Sequence, residues 1–262
     1  MKASSISAAV IAVALTVFYV FVQQLPSIIV ESTDILFVVI SGGVSLYAFL
    51  VVAEMGRRAT SIPHLEARLR SAYYGVFLTI VLWFLGETTW GIYEVVLGVS
   101  IPYPSIADIF YLAGYLPVLA STVTFMWIFR RNVTQARKVV TSLVGLAIIG
   151  LVFVFVLSPL STSSSGTVTK AFDLAYPFLD AVLLVLVTLI LGGMAGSTLA
   201  KPWAWIFAGL LSYSFADIMF SWGTLAGWYY SGHPIELLWL YGYLGLAIGF
   251  SEQREVLSKV SA

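Results

Sequence analysis

Eight apolar runs follow one another along this chain, and no other feature restricts its folding as much. They cover approximately residues 6–25, 34–55, 69–98, 105–130, 137–158, 172–193, 202–230 and 234–256. A run of about 20 apolar residues, rising 1.5 Å each as a helix, spans the roughly 30 Å hydrocarbon core of a bilayer. Charged residues make up only 10% of the 262, against about 25% in an ordinary soluble domain. A solvated surface cannot be built from that. The expected fold is an all-α integral membrane protein, a single membrane domain over 1–262 with eight transmembrane helices. Pro104, Pro202 and Pro234 stand where the fourth, seventh and eighth spans begin, a position that tolerates proline.

The basic residues set the expected orientation. With the amino terminus inside, Lys2, Arg57, Arg58, Arg68, Arg70, Arg130, Arg131, Arg137, Lys138, Lys201, Arg254 and Lys259 are all cytoplasmic, and Lys170 alone lies outside. Such asymmetry is the positive-inside pattern, and it places both termini in the cytoplasm of a multi-pass protein of the cell membrane. The first run is too long for a signal-peptide core, and no small-x-small cleavage site follows it before Gln23, so it is read as the first span. The sequon at Asn132 falls in an expected cytoplasmic loop. The segment "STSSSG", 161 to 166, is a polar outer connection.

Two segments share one pattern. "PSIADIFYLAGYL" from 104 and "HPIELLWLYGYL" from 233 match Asp108, Tyr111, Gly114 and Tyr115 to Glu236, Trp239, Gly242 and Tyr243. Laying spans 5–8 on spans 1–4 extends the match. Asp34 meets Asp173, Glu87 meets Asp217, and Gly98 meets Gly227. Four spans is an even number, so the expected halves, 1–135 and 136–262, run parallel about an axis along the membrane normal.

The acids are unevenly placed. Glu54, Glu66, Glu252 and Glu255 neighbour cytoplasmic basic residues, whereas the other nine of the 13 acids lie outside or in the outer half. Asp180, Glu87 and Asp217 are the deepest, roughly 12–20 Å below the outer helix ends at 1.5 Å per residue. Ionisable groups at such depth usually face a bundle interior or a water-filled cavity. Asp34, Asp108, Asp173 and Glu236 form an expected shallower rim, where stabilisation of the helix dipole is a competing explanation. Helical spacing puts Trp83, Glu87, Trp90 and Glu94 on one stripe, and Tyr213, Asp217, Ser221, Thr224 and Trp228 on another. Convergence of these stripes gives an outer cavity walled by aromatics and carboxyls. Its expected ligand-binding residues are Glu87, Trp90, Glu94, Asp108, Tyr111, Asp180, Asp217, Ser221, Glu236 and Trp239. With few cations at hand, the acids there must be protonated, hydrogen-bonded, or paired with a bound amine or cation.

Several chemistries lack their residues. The chain has no cysteine, which excludes disulfides and thiolate chemistry. No lysine lies within a span to form a Schiff base. His64 and His233 are expected on opposite faces, which argues against histidine metal sites and bis-histidine haem. No nucleotide-binding or hydrolase motif and no basic, aromatic-interleaved patch for nucleic acid occurs. No catalytic motif marks the chain as an enzyme, and no cofactor is indicated.

The stretch "WGIYEVVLGVSIPYPSIADIFYLAGYL" resembles the amino-terminal membrane region of bacterial signalling proteins, especially diguanylate cyclases of the GGDEF type. "DLAYPFLDAVLLV" and "FADIMFSWGTLAGWYYSGHPIELLWLYGYLGLA" look like two further segments of that region, in the same order. The resemblance implies a polytopic sensory module. Because the sequence read here reaches Ala262 without an output domain, its signal is expected to pass to a separate protein on the cytoplasmic side. Its other expected partners are the lipid bilayer and a small molecule, amine or cation from outside. A cation-coupled carrier and a structural subunit of a larger membrane complex are the competing expectations.

Overall fold

The computed structural model describes residues 3–25, 28–57, 63–129, 134–163, 166–191 and 200–260. Among the described residues all regular structure is helical, with no strand. The helices are α1 (Ala3–Val22), α2 (Ile29–Arg57), α3 (Pro63–Gly91), α4 (Ile106–Phe129), α5 (Gln135–Val152), α6 (Thr167–Leu191), α7 (Ala200–Ala226) and α8 (Leu237–Val260). A π-helical turn, Ile92–Val96, prolongs α3, and a second, Phe153–Leu157, prolongs α5 and is followed by a last α-helical turn, Ser158–Ser161. A 3-10 turn, Pro234–Glu236, leads into α8.

Seven of these helical segments, from Ile29–Arg57 to Pro234–Ser258, are long and apolar enough to cross a membrane, as a multi-pass membrane protein requires. The sequence predicts eight such spans. The difference lies in α1, whose 20 residues reach about 30 Å but whose described apolar part is the shorter Ala9–Val22. Large apolar side chains cover the periphery, among them Val13 and Val17 of α1 and Leu143 and Leu146 of α5, each about 60% exposed. That distribution suits lipid rather than water.

Six helices close a ring in the order α2, α3, α4, α6, α7, α8, with α8 returning to α2. The pairs α3–α4 and α7–α8 make the most extensive contacts. The other two helices stand outside the ring, α1 against α8 and α5 against α6. Small residues permit the tight α7–α8 pair. A Cβ added to Gly245 would lie 2.7 Å from Gly209 Cα and 2.8 Å from Gly209 N, so the two backbones are in direct contact there. In α3–α4, Gly114 leaves room for the Trp83 indole, which would lie 2.5 Å from an added Cβ.

The described connecting residues 23–25, 97–105, 162–163 and 227–233 share one face of the bundle, which we name the cavity face. Gly98 (φ 63°) and Gly227 (φ 75°) follow α3 and α7 there in left-handed backbone, the usual glycine role just past a helix end. The opposite, basic face carries Arg57, Arg137, Lys201 and Arg254. Lys201 pairs with Glu252 at 2.5 Å and Arg254 with Glu54 at 3.1 Å, tying α7 and α2 to the end of α8. The four expected cytoplasmic cations Lys2, Arg58, Arg130 and Arg131 fall outside the described residues.

Between the faces, the ring interior is packed with aromatics. Tyr73, Phe125, Trp203, Phe207 and Phe250 are all fully buried in the half nearer the basic face. Phe125 stacks on Trp203 at 3.9 Å, and Tyr73 meets Trp203 at 5.0 Å and Phe250 at 5.5 Å. Above this plug, Trp83 of α3 and Tyr213 of α7 stack at 4.0 Å with 9° between their planes. Such a pair adds about 0.5–1.5 kcal/mol beyond its buried area. It also fixes the floor of the space above.

Candidate functional site

Below the cavity-face connections the ring encloses a cavity of about 120 Å³. One water needs about 10–15 Å³ by this measure, so the space accepts several waters or a small organic group. Five carboxyl side chains reach its wall, Asp34 from α2, Glu87 from α3, Asp108 from α4, Asp217 from α7 and Glu236 before α8. The rest of the lining is almost wholly aromatic, with Trp83, Trp90 and Trp239 joined by six tyrosines and two phenylalanines. Ser221 and Ser231 add hydroxyls. Among the described residues no Lys, Arg or His lines it.

Phenols and an indole supply the hydrogen bonds that these acids would otherwise take from bases. Glu87 accepts from Tyr111 at 2.9 Å, from Tyr243 at 3.2 Å and more distantly from Tyr213 at 3.4 Å. Asp217 accepts from Trp239 Nε1 at 2.6 Å and lies 2.8 Å from the Tyr115 hydroxyl. Glu236 accepts from Tyr19 at 3.0 Å, Tyr229 at 2.9 Å and the Gly232 amide at 2.7 Å. Such donors hold a buried carboxyl in place without cancelling its charge.

Asp108 serves the helix and the cavity together. Ser105 precedes α4 as its N-cap, its hydroxyl accepting from the Ala107 amide at 3.1 Å. Asp108 returns the contact by accepting from the Ser105 amide at 2.7 Å, the reciprocal arrangement of a capping box. Its second oxygen accepts from Tyr176 at 2.9 Å. Asp108 and Glu236 stand at the starts of their helices, where the sequence places the shallow rim. Their side chains are nonetheless buried, 4% and 5% exposed.

Of the ten predicted site residues, Glu87, Trp90, Asp108, Tyr111, Asp217, Ser221, Glu236 and Trp239 converge on the cavity. Two do not line it. Glu94 leaves the Trp83–Glu87–Trp90 stripe because the π-turn Ile92–Val96 changes the helical register, and it lies beside Asp34 instead. One oxygen of each, Asp34 Oδ2 and Glu94 Oε2, is buried without a hydrogen-bond partner. Asp180 is 0% exposed and sits behind Tyr115, whose hydroxyl is 2.7 Å from its Oδ1. On the second stripe, Tyr213, Asp217 and Ser221 line the cavity. Trp228 instead turns aside toward Trp222 and His233. Asp173 binds the Tyr103 hydroxyl at 2.7 Å away from the lining.

Tyr115 and Tyr229 are among the contributors that sequence reasoning misses. Tyrosine near a membrane surface reads as interfacial belt. The repeated Gly-Tyr step at Gly114–Tyr115 and Gly242–Tyr243 was the available signal. In the 227–233 connection, burial and then the Glu236 carboxylate push the Tyr229 phenol above its ordinary range, so it remains a donor. Burial likewise pushes His233 below its ordinary 6.5, keeping its Nδ1 free to accept from the Ile235 amide at 3.1 Å. Among the described residues no group of three or more acids or histidines is arranged to hold a metal ion. Carboxyls held by neutral donors and surrounded by aromatic faces can instead receive a compact organic cation.

No protein-family model, curated protein or solved structure matches this chain.

Proposed function

We propose that this protein is a polytopic membrane sensory module that binds a small cation, an organic ammonium foremost, in the cavity from the outer side of the cell membrane. One observation carries the reading. Five carboxyls and a nearly continuous aromatic lining meet in one space whose described walls hold no basic side chain. Each aromatic face over a cation contributes about 0.5–2 kcal/mol once water is excluded, and the carboxyls supply the counter-charge.

The positive-inside distribution supports an outward-facing cavity and cytoplasmic termini. The order of the ring and four hydrogen bonds support two parallel four-helix halves. Tyr111 to Glu87 joins α4 to α3, as Trp239 to Asp217 joins α8 to α7. Tyr115 to Asp217 and Tyr243 to Glu87 then cross between the halves in reciprocal fashion. A ligand engaging Glu87 and Asp217 therefore bears on both halves at once. A separate protein reads the resulting shift at the cytoplasmic face, in keeping with the resemblance to sensory regions of GGDEF proteins. A carrier needs a second path to the basic face, and the aromatic plug from Tyr73 to Phe250 fills that route.

Titration of the purified protein with tetramethylammonium and with uncharged tert-butanol, followed by tryptophan fluorescence, tests the reading. Trp83, Trp90 and Trp239 report directly from the wall. Expected is a saturable change with the cation alone, weakened roughly ten- to hundred-fold in Glu87→Gln or Asp217→Asn, as loss of a charged contact of about 1.5–3 kcal/mol implies. Equal responses to both probes, or an unchanged midpoint in both variants, would contradict it.

A further inference from the structure

Tyr115 stands between two acids with one hydroxyl proton to give. Its oxygen is 2.7 Å from Asp180 Oδ1 and 2.8 Å from Asp217 Oδ2. Both are hydrogen-bond distances, yet a phenol donates once and accepts through its lone pairs. If both acids were ionised, one of the two short contacts would set oxygen against oxygen with no hydrogen between. One carboxyl must therefore donate to Tyr115.

The surroundings decide which. Asp217 already accepts from Trp239 Nε1 at 2.6 Å on its other oxygen, so with the Tyr115 proton both its oxygens are satisfied as a carboxylate. Asp180 has weaker support: the Ser214 hydroxyl is its one further polar neighbour, and that Oγ is itself buried without a hydrogen-bond partner. Asp180 is 0% exposed, and its Oδ2 is buried without a partner. A charge there would lie deep in the bundle with less hydrogen bonding than Asp217 has, a costly form for a carboxyl. The titratable groups facing the pair are Glu87 on α3, Tyr176 on α6, Tyr213 on α7 and Tyr243 on α8, none of them basic.

The geometry assigns a proton-binding site to Asp180, linked through Tyr115 to Asp217 and so to the cavity wall. The chain runs from Asp180 Oδ1–H to Tyr115 Oη, from Tyr115 Oη–H to Asp217 Oδ2, with Trp239 Nε1–H closing on Asp217 Oδ1. Transfer along it balances. The Asp180 O–H bond breaks as its proton joins the Tyr115 oxygen, and the original Tyr115 proton passes to Asp217. The phenol is regenerated, Asp180 becomes the carboxylate, and one proton has reached a residue lining the cavity. This site is present whether or not the cavity takes up a cation, so it stands apart from the ligand-binding reading.

Infrared spectroscopy of the full chain, labelled with carbon-13 at the aspartate side-chain carboxyl and held in an ester-free detergent, tests it. At neutral pH the wild type should show the C=O stretch of a protonated aspartate that shifts on deuteration. Asp180→Asn should remove that band while Asp217→Asn retains it. Tyr115→Phe keeps the ring and removes only the acceptor, so it should move the band to higher frequency and covers the case in which Asp180→Asn does not fold. Absence of the band from the wild type, its persistence unchanged in Asp180→Asn, or an unmoved band in Tyr115→Phe would each overturn the assignment.

Discussion

At the residue scale, the site rests on a substitution of partners, in which tyrosine and tryptophan take the place of lysine and arginine. Glu87, Asp217 and Glu236 each accept from two or three neutral donors. On the proposed reading the acids are oriented for a ligand rather than cancelled by a base. Helical spacing made Glu87 and Asp217 legible, because carboxyls at that depth have few roles in a bilayer. Tyr115 was harder to read, since the chain has 14 tyrosines and only the repeated Gly-Tyr step separates it from an interfacial ring. Glycine follows the same logic of local contact. Gly245→Ala would press a Cβ within 2.8 Å of the Gly209 backbone, which cannot yield as a side chain can. We expect it to destabilise the protein by about 1–3 kcal/mol, the usual cost of overpacking. Gly43→Ala meets nothing within 4 Å and should leave the detergent melting midpoint at or above wild type. Equal effects of the two variants would contradict the direct α7–α8 backbone contact.

At the element scale, helix ends decide what reaches the cavity. The capping pair Ser105–Asp108 and the 3-10 turn before α8 bring an acid to the wall at the start of each helix. The proline before each motif makes these helix starts legible in the sequence, whereas the burial of their acids depends on packing that a sequence does not show. The π-turn Ile92–Val96 was likewise hidden, since a single-turn π-bulge lacks a composition signal of its own, and it displaced Glu94 from its predicted stripe. The His233 cap carries a pH prediction. Its native value is depressed below 6.5, so between the two values the unfolded or opened segment binds more protons than the closed one. The cap therefore contributes fully above about 6.5, and its contribution is lost as pH falls through the depressed value. Amide exchange at Ile235, corrected for intrinsic rates, should accelerate on acidification in the wild type and not in His233→Asn, which caps without titrating. Identical pH profiles would show that the imidazole is not what holds the turn.

At the scale of the whole molecule, a closed ring of six helices leaves α1 and α5 outside, and the interior changes along its axis from aromatic plug to stacked floor to acidic cavity. Composition and spacing announced the helices and the concentration of acids toward one face. They could not announce the ring, because it depends on α2 meeting α8, helices almost at opposite ends of the chain. The proposed two-fold relation of the halves accounts for the reciprocal bonds at Glu87 and Asp217, and it departs from symmetry where α1 leans on α8 while α5 leans on α6. The central claim is that this ring holds an outward-facing cavity selective for cations. The chain contains no cysteine, so Ser221→Cys places a single thiol on the cavity wall with no background. Its labelling in sealed vesicles of known orientation, by membrane-impermeant methanethiosulfonates of opposite charge, measures sidedness and selectivity together. The account predicts that the cationic reagent reacts from the outer side several-fold faster than the anionic one, and that adding Glu87→Gln with Asp217→Asn removes the preference. Equal rates for the two reagents, or labelling from the inner side alone, would contradict it.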